Sequence, residues 1–431
     1  MRVEQYPDGK KVVILGGGFG GLSVARALKG LPIEVTLVDR QNHHCFQPLL
    51  YQVATAVVSP ADIAWPIRGI LRKQDNIRVF MAEVSGVDVE AKIVKTDSVA
   101  LPYDYLVLAT GATHSYFGHD EWAEYAPGLK TIYDATQIRA RLLLAFEHAE
   151  LASDEAKRRA LLTFVIVGGG PTGVEMAGAV AEVALQALPN DFREIDPKSA
   201  RILLIEAGSR LLAAFPENLS AYAEATLKKL GVTVMTNSPV TDCDGGGVTV
   251  NGERIAASTI IWGAGVVASP AAEWIGAAHD KAGRVKAEPD LSVPGHSEIF
   301  VIGDTASVHD RKGQPVPGIA PAAKQMGAYV GKLIAGELSG KPRPAPFVYH
   351  HQGDLATIGT HSAVVDLGHL TLKGSLGWLF WSVAHIYFLI GIRNRFVVAI
   401  SWIYGVFTSR RGARIITLPD NAKSATRADV M

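Results

Sequence analysis

Cysteine is scarce in this chain of 431 residues: there are two, Cys45 and Cys243, far apart in sequence. That excludes a disulfide scaffold and any cysteine-based zinc or iron–sulfur site, and it fits a reducing compartment. Net charge is missing too, with 42 Lys and Arg against 42 Asp and Glu. A dedicated nucleic-acid binder carries a basic excess, so no nucleic-acid partner is expected. A GxxxxGK[ST] loop is absent, which removes P-loop ATP hydrolysis. The pairs His43–His44 and His350–His351 lack ligand spacing, so no metal is expected. The first apolar run, Val12 to Leu15, leads straight into glycines and does not read as a signal peptide. Acidic residues are absent from one long stretch: between Leu367 and Pro419 there is no Asp or Glu, while Lys373, Arg393, Arg395, Arg410, Arg411 and Arg414 supply positive charge. The rest of the chain is therefore acidic, by about −6. What is present, 48% apolar and 19% charged residues, is the composition of a globular chain. Its length suits two or three domains with large cores.

An internal repeat organises the chain. VVILGGGFGGLSVARAL, Val12 to Leu28, is matched by FVIVGGGPTGVEMAGAV, Phe164 to Val180. Each is a short β-branched run, glycines at GxGxxG spacing, and an Ala-rich run suited to a helix. Gly16, Gly18 and Gly21 meet the spacing first, Gly168, Gly170 and Gly173 second. A second apolar strand ending in an acid follows each, at Asp39 and at Glu206. Each copy closes on a strand followed by small residues, YDYLVLATGA and STIIWGAGV. The context that a dinucleotide-binding loop requires is thus met twice. The glycines allow a tight turn and close approach of backbone to a pyrophosphate, which the helix N-terminus then faces. Plain tight βα turns are the bland alternative. Glu206 lies further from its loop than Asp39 does, and the polar stretch Pro189 to Ser199 is expected to lengthen that crossover. Two dinucleotide sites suggest a held flavin and an exchangeable nicotinamide. The run EIFVIGDTAS puts Asp304 at a strand end, where it could accept from ribitol hydroxyls or simply sit in a surface turn.

These residues resemble the two-dinucleotide-binding-domain flavoproteins and, more narrowly, the type II (non-proton-pumping) NADH:quinone oxidoreductases. The resemblance runs through GGGFGG, NHHCFQPLLYQVAT, ATGATHSYFGHDEW, GGGPTGVE, GDTA, PGIAPAAKQMG and AHIYFLIGIRNR, in that order. It implies an α/β fold: two Rossmann-like dinucleotide-binding domains plus a C-terminal amphipathic helical membrane-binding segment. Residues 1–120 would form the first part of the FAD-binding domain, 121–276 the NADH-binding domain, 277–365 the second part of the FAD-binding domain, and 366–431 the membrane-associated helices. FAD would be held by Gly16, Gly18, Phe19, Gly20 and Gly21, with Asp39 and Arg40 at the end of the second strand. Gln47, Pro48 and Leu49, then Ala109, Thr110 and Gly111, and later Gly303, Asp304 and Ala320 would complete that site. NADH would be held by Gly168, Gly170, Pro171, Thr172 and Gly173, by Glu206, and by Gly263, Ala264 and Gly265. Glu175 would sit beside flavin and nicotinamide; its other reading is an acid suited to the start of a helix dipole.

The segment Ala320 to Gln325 would lie under the flavin ring at the quinone site. One version of the family pattern has Gln directly after the Ala, where this chain has Pro321, so Gln325 or Lys324 must supply any polar handle for a quinone carbonyl. Flavin disulfide reductases and sulfide:quinone oxidoreductases rely on paired cysteines; here Cys45 has no partner in its stretch, and a buried, inert role is expected for it. An acid at Glu206 would hydrogen-bond a ribose 2′-hydroxyl and repel a 2′-phosphate, favouring NADH over NADPH, with Arg210 near enough to blunt the effect. An ordinary solvated Glu at a strand end is the alternative.

The C-terminal region changes character. Ser375 to Ile392 has no formal charge, and Phe396 to Ser409 is a second apolar run. A spanning helix needs about 20 apolar residues, so neither run suits one well. Trp378, Trp381, Trp402, Tyr387, Tyr404 and the flanking basic residues suggest helices lying in the membrane interface, over residues 373–414. A homodimer interface or buried helical pair is the alternative. The reading is a peripheral flavoenzyme on the cytoplasmic face of the inner (plasma) membrane, passing two electrons from NADH through FAD to a membrane quinone without pumping protons. A flavoprotein whose NADH-dependent redox state controls partner binding would carry the same motifs. The Ala320–Gln325 segment and the lipid-facing end speak against it.

Overall fold

A computed structural model describes residues 9–311, 313–408 and 411–417. The chain divides into two compact units. One comprises Met1–Cys45, Ala64–Thr113 and Val266–Gln352; the other comprises Phe46–Ile63, His114–Gly265 and Gly353–Met431. The short excursion 46–63 and the C-terminal helices therefore belong with the second unit, where the sequence alone placed 46–63 in the first.

The first unit is built on a sheet of β1 (Lys11–Leu15), β2 (Glu34–Asp39), β3 (Ile77–Met81) and β4 (Tyr105–Leu108), extended by the strands His296–Val301 and Ser292–Val293. Its order puts β1 between β2 and β4, and all pairings except the outermost are parallel. The Val and Ile runs suit this setting, because a parallel sheet is covered on both faces and tolerates little polar content. Helix α1 (Phe19–Ala27) lies against the helix Ala320–Leu338. The two approach closely because Gly327 and Gly331 face Gly20 and Ala27; a Cβ on Gly331 would come within 2.5 Å of the Ala27 methyl.

The second unit repeats the plan. Its sheet runs β7 (Val232–Met235), β6 (Arg201–Ile205), β5 (Thr163–Val167), β8 (Thr259–Trp262), all parallel. In both units a three-stranded antiparallel meander separates the third strand from the fourth: Val84–Asp88, Ile93–Thr96 and Ala100–Pro102 in one, and Val240–Asp244, Gly247–Val250 and Glu253–Ala256 in the other. The Gly245–Gly247 run lies at the first turn of the second meander. Also in this unit are α2 (Leu50–Ala54), α3 (Pro171–Glu182) and a three-stranded sheet of Asp354–Thr357, Ala363–Asp366 and Thr371–Lys373. That sheet leads into α4 (Gly374–Phe388) and α5 (Ile392–Thr408), broken from each other at Gly391, whose φ is +89°.

Helices α4 and α5 are amphipathic in an inverted sense. On α4 the exposed positions include Leu376, Leu379, Val383 and Tyr387; on α5 they include Ile392, Phe396, Ile400, Ile403, Tyr404 and Phe407. Spacings of three and four put each set on one side of its helix. Among the described residues no helix is long and apolar enough to cross a membrane. Two expectations about this end are corrected. Trp381 and Trp402 point inward, 1% and 6% exposed with ring centroids 5.2 Å apart, so aliphatic, Phe and Tyr side chains, the expected Tyr387 and Tyr404 among them, form the outer stripe. The cations are also largely engaged within the protein. Arg411 is buried on Glu182, Arg414 pairs with Asp191, and Arg395 donates to the carbonyls of Tyr387 and Leu389 at the end of α4. Arg410 lies outside the described residues.

Candidate active site

The two glycine loops are superimposable in their bonding. Gly16 N–H donates to Val38 O at 2.7 Å, and Gly168 N–H to Ile205 O at 2.7 Å, tying each loop to the neighbouring strand. The acid beyond that strand then closes the turn. Asp39 accepts from the Gly17 N–H at 2.6 Å and the Gln41 N–H at 2.7 Å. Glu206 accepts from the Gly169 N–H and from the Gly208 N–H. Glu206 thus holds the place of Asp39 despite its longer spacing. The extra residues form a π-turn over Val183–Ala187 and, inside the Pro189–Ser199 stretch expected to lengthen the crossover, a 3₁₀ turn over Pro197–Ser199. Burial pushes the Asp39 carboxyl above its ordinary value, against the pull of those main-chain N–H groups.

The glycines are required sterically. A Cβ at Gly21 would collide with the Gly16 carbonyl, one at Gly173 with the Gly168 carbonyl, and Gly16 and Gly168 have positive φ. Gly18 and Gly170 cap α1 and α3 without any side-chain bond, and a Cβ on either would meet nothing within 4 Å. Uncapped N–H groups facing open space are what a pyrophosphate requires, so both loops fit a dinucleotide. Pro171 at the start of α3 forfeits only an N–H that has no helical partner.

Further residues of the first unit converge on its loop. His44 bonds through Nδ1 to the Gly17 carbonyl at 3.0 Å, with its ring edge-on to Phe19 at 4.8 Å. Burial lowers its pKa to about 4, so the ring is neutral, and a carbonyl partner makes Nδ1 the protonated nitrogen. Sequence spacing speaks only against His44 as a metal ligand; its position beside the loop is visible only in the fold. The Thr110 and Ser269 hydroxyls are bonded, and the Gly111 N–H donates to Thr305 Oγ1 at 2.8 Å. Asp304 sits in the 3₁₀ turn Gly303–Thr305. The helix Ala320–Leu338 starts at the expected segment, and Pro321 lies in its first turn, where proline suits helix initiation. Lys324 lies over the Phe19 ring at 5.2 Å, and burial beside Arg26 lowers its pKa to about 8. Gln325 donates to the His350 carbonyl at 2.8 Å and accepts from the His350 N–H at 2.9 Å, so both ends of its amide brace the main chain.

In the second unit, α3 carries two inward-facing carboxylates seven residues apart. Glu175 accepts from the Thr357 N–H at 3.3 Å, and Glu182 accepts from Thr360 Oγ1 at 2.7 Å and from Arg411 at 2.9 Å. Between them Gly178 admits Gly359; a Cβ there would lie 2.8 Å from the Gly359 nitrogen. Burial raises the Glu175 pKa to about 8, against the single N–H that lowers it. Gln47, from the 46–63 excursion, donates to the Lys130 carbonyl at 3.4 Å within the same unit. Arg210, expected near Glu206, is anchored nearby. Its guanidinium donates to the carbonyls of Phe215 and Ala213, an attachment that holds it on the main chain. Neither cysteine is poised for thiol chemistry: burial pushes Cys45 up to about 12 and Cys243 up to about 11, and both are free. Among the described residues no metal-binding cluster occurs.

Two dinucleotide cradles in one α/β chain define a pyridine-nucleotide oxidoreductase, and a family model described as pyridine nucleotide-disulphide oxidoreductase matches residues 10–327. The chain belongs more narrowly to the type II NADH:quinone oxidoreductases, a family that does not pump protons. A model described as the NDH2 C-terminal domain matches residues 351–411. The chain is 43% identical over 429 residues to the type II NADH:quinone oxidoreductase Ndh of Mycobacterium tuberculosis, covering 96% of this chain and 91% of that protein. A type II NADH:quinone oxidoreductase of Staphylococcus haemolyticus is 30% identical, over 83% of this chain and 89% of its own. Among solved structures, NDH2 from Plasmodium falciparum in complex with NADH matches with a TM-score of 0.85 at 24% identity, covering 93% of this chain and 99% of that one.

Proposed function

We propose that the chain oxidises NADH and reduces a membrane quinone, with FAD in the first cradle and NADH in the second. The duplicated cradle carries this reading: one chain builds the same acid-clasped, uncapped glycine turn twice, and an electron relay between two dinucleotides uses both. FAD, when bound, supplies the two-electron link between nicotinamide and quinone. The first loop with Asp39, Thr110, Gly111 and Asp304 is assigned to holding it. Glu206 is assigned to a ribose 2′-hydroxyl, an acid there disfavouring a 2′-phosphate.

The net exchange, NADH + H⁺ + quinone → NAD⁺ + quinol, takes up one proton from solution. Glu175 is assigned to deliver it, because a half-buried carboxyl whose desolvation raises its pKa to about 8 is protonated at neutral pH. Lys324 is assigned to the quinone carbonyl in preference to Gln325, whose amide is engaged at both ends by His350. The outer stripe of α4 and α5 is assigned to the bilayer, making the protein peripheral, with the cytoplasmic face of the inner membrane as the side that suits two free thiols. A second copy of the chain is the competing occupant of that stripe, and sedimentation with and without lipid vesicles separates the two.

Anaerobic mixing tests the chemistry. NADH should bleach the yellow absorbance of the flavin-loaded protein, and a soluble quinone should restore it within seconds. Bleaching without restoration would contradict the enzyme and favour a redox-controlled binding protein.

A further inference from the structure

A chain of hydrogen bonds runs through the second unit from α5 to Glu175. Trp402 Nε1 donates to Gln52 Oε1 at 2.6 Å, and Gln52 Nε2 donates to the Tyr51 hydroxyl at 3.0 Å. The Tyr51 hydroxyl lies 2.9 Å from Thr357 Oγ1, and the Thr357 N–H reaches Glu175. The direction of the chain follows from its first member. An indole N–H can only donate, so the Gln52 oxygen must face Trp402 and its NH₂ must face Tyr51. The Tyr51 oxygen then accepts, leaving its proton to point at Thr357. Every donor is aimed toward Glu175.

We propose that Tyr51 is a positioning residue for Glu175: anchored by Gln52 and Trp402, its hydroxyl seats Thr357 so that the Thr357 N–H stays on the carboxyl and sets the pH at which Glu175 releases its proton. This rests on the assignment of Glu175 as proton donor and names what holds it ready. Burial and the Thr357 N–H oppose each other at this carboxyl, so the seating of one residue decides how far the N–H offsets desolvation. The ionisable groups around it are few. Tyr51 faces it from α2, and beyond Tyr51 stands Glu182, whose charge is matched by Arg411. A cavity of about 60 Å³, lined by Tyr51, Gln52, Glu182, Trp381, Trp402 and Arg411, flanks the chain. Trp381 Nε1 is buried there with no hydrogen-bond partner. The cavity is large enough to hold water, so the chain lies beside a source of protons.

The test is an infrared titration of the carboxylic C=O band of the flavin-loaded protein, with Glu175→Gln identifying the band. In Tyr51→Phe the deprotonation midpoint should move up by about half a pH unit or more, since the carboxylate loses hydrogen-bond support. Trp402→Phe should move it in the same direction by less. The alkaline limb of quinone reduction should shift with the band in both variants, which a merely structural loss of packing would not produce. A band that disappears in Glu175→Gln but keeps its midpoint in Tyr51→Phe overturns the positioning role alone. A carboxylic band and alkaline limb that survive unchanged in Glu175→Gln overturn the assignment of Glu175, and this inference with it.

Discussion

The two halves of the molecule use one cradle and put different residues behind it. In the first, the position five residues after the cap glycine of α1 is Ser23, which donates to the Phe19 carbonyl and packs on Gly327. The equivalent position of α3 is Glu175, half-buried, with desolvation raising its pKa to about 8. The glycines and the clasping acid recur because the turn and the phosphate demand them. Glu175 recurs nowhere and serves no structural need of the cradle, since the first half manages with serine. Desolvating a carboxyl that the cradle does not require is costly, which is the physical reason for assigning chemistry to it.

The comparison can be broken most severely at the glycines. Gly21→Ala should yield protein lacking bound flavin, whereas Gly173→Ala should retain the yellow absorbance and lose NADH binding by more than about a hundredfold; absorbance and equilibrium titration read the two separately. A smaller effect is expected behind α3. Arg411→Ala leaves Glu182 buried without its cation and should lower unfolding stability by about 3 kcal/mol in a urea melt, with no counterpart in the first half. Smaller again, Glu206→Ala should narrow the preference for NADH over NADPH by about tenfold, as measured by the ratio of kcat/KM values. An unchanged ratio would mean that Glu206 serves only to clasp its loop.

Much of this was legible in the sequence, and the legible part is what repeats. Two glycine runs, two strand-end acids and their flanking helices announced both sheets. Even the awkward spacing of Glu206 was readable as a longer crossover. The missed features depend on which way a helix turns. The apolar C-terminal runs and their tryptophans and arginines all fit an interface by composition. Yet the fold turns Trp381, Trp402 and Arg411 inward and leaves Leu376, Phe396 and Ile400 outside. Composition counts charges without knowing which are already paired, and Arg411, Arg414 and Arg395 are engaged inside the protein. Tyr51 and Gln52 were part of a recognised motif, but their link to Trp402, 350 residues away, exists only in three dimensions.

The central claim is that Glu175 makes the second half chemically different from the first. The pH dependence of NADH:quinone turnover in Glu175→Gln beside the parent protein tests it most directly. Folded, the carboxyl keeps its proton up to about pH 8, so the parent rate should fall as pH rises through that value, and the variant should be slower by about a hundredfold with no such limb. A variant that turns over at the parent rate and retains the limb would contradict the claim.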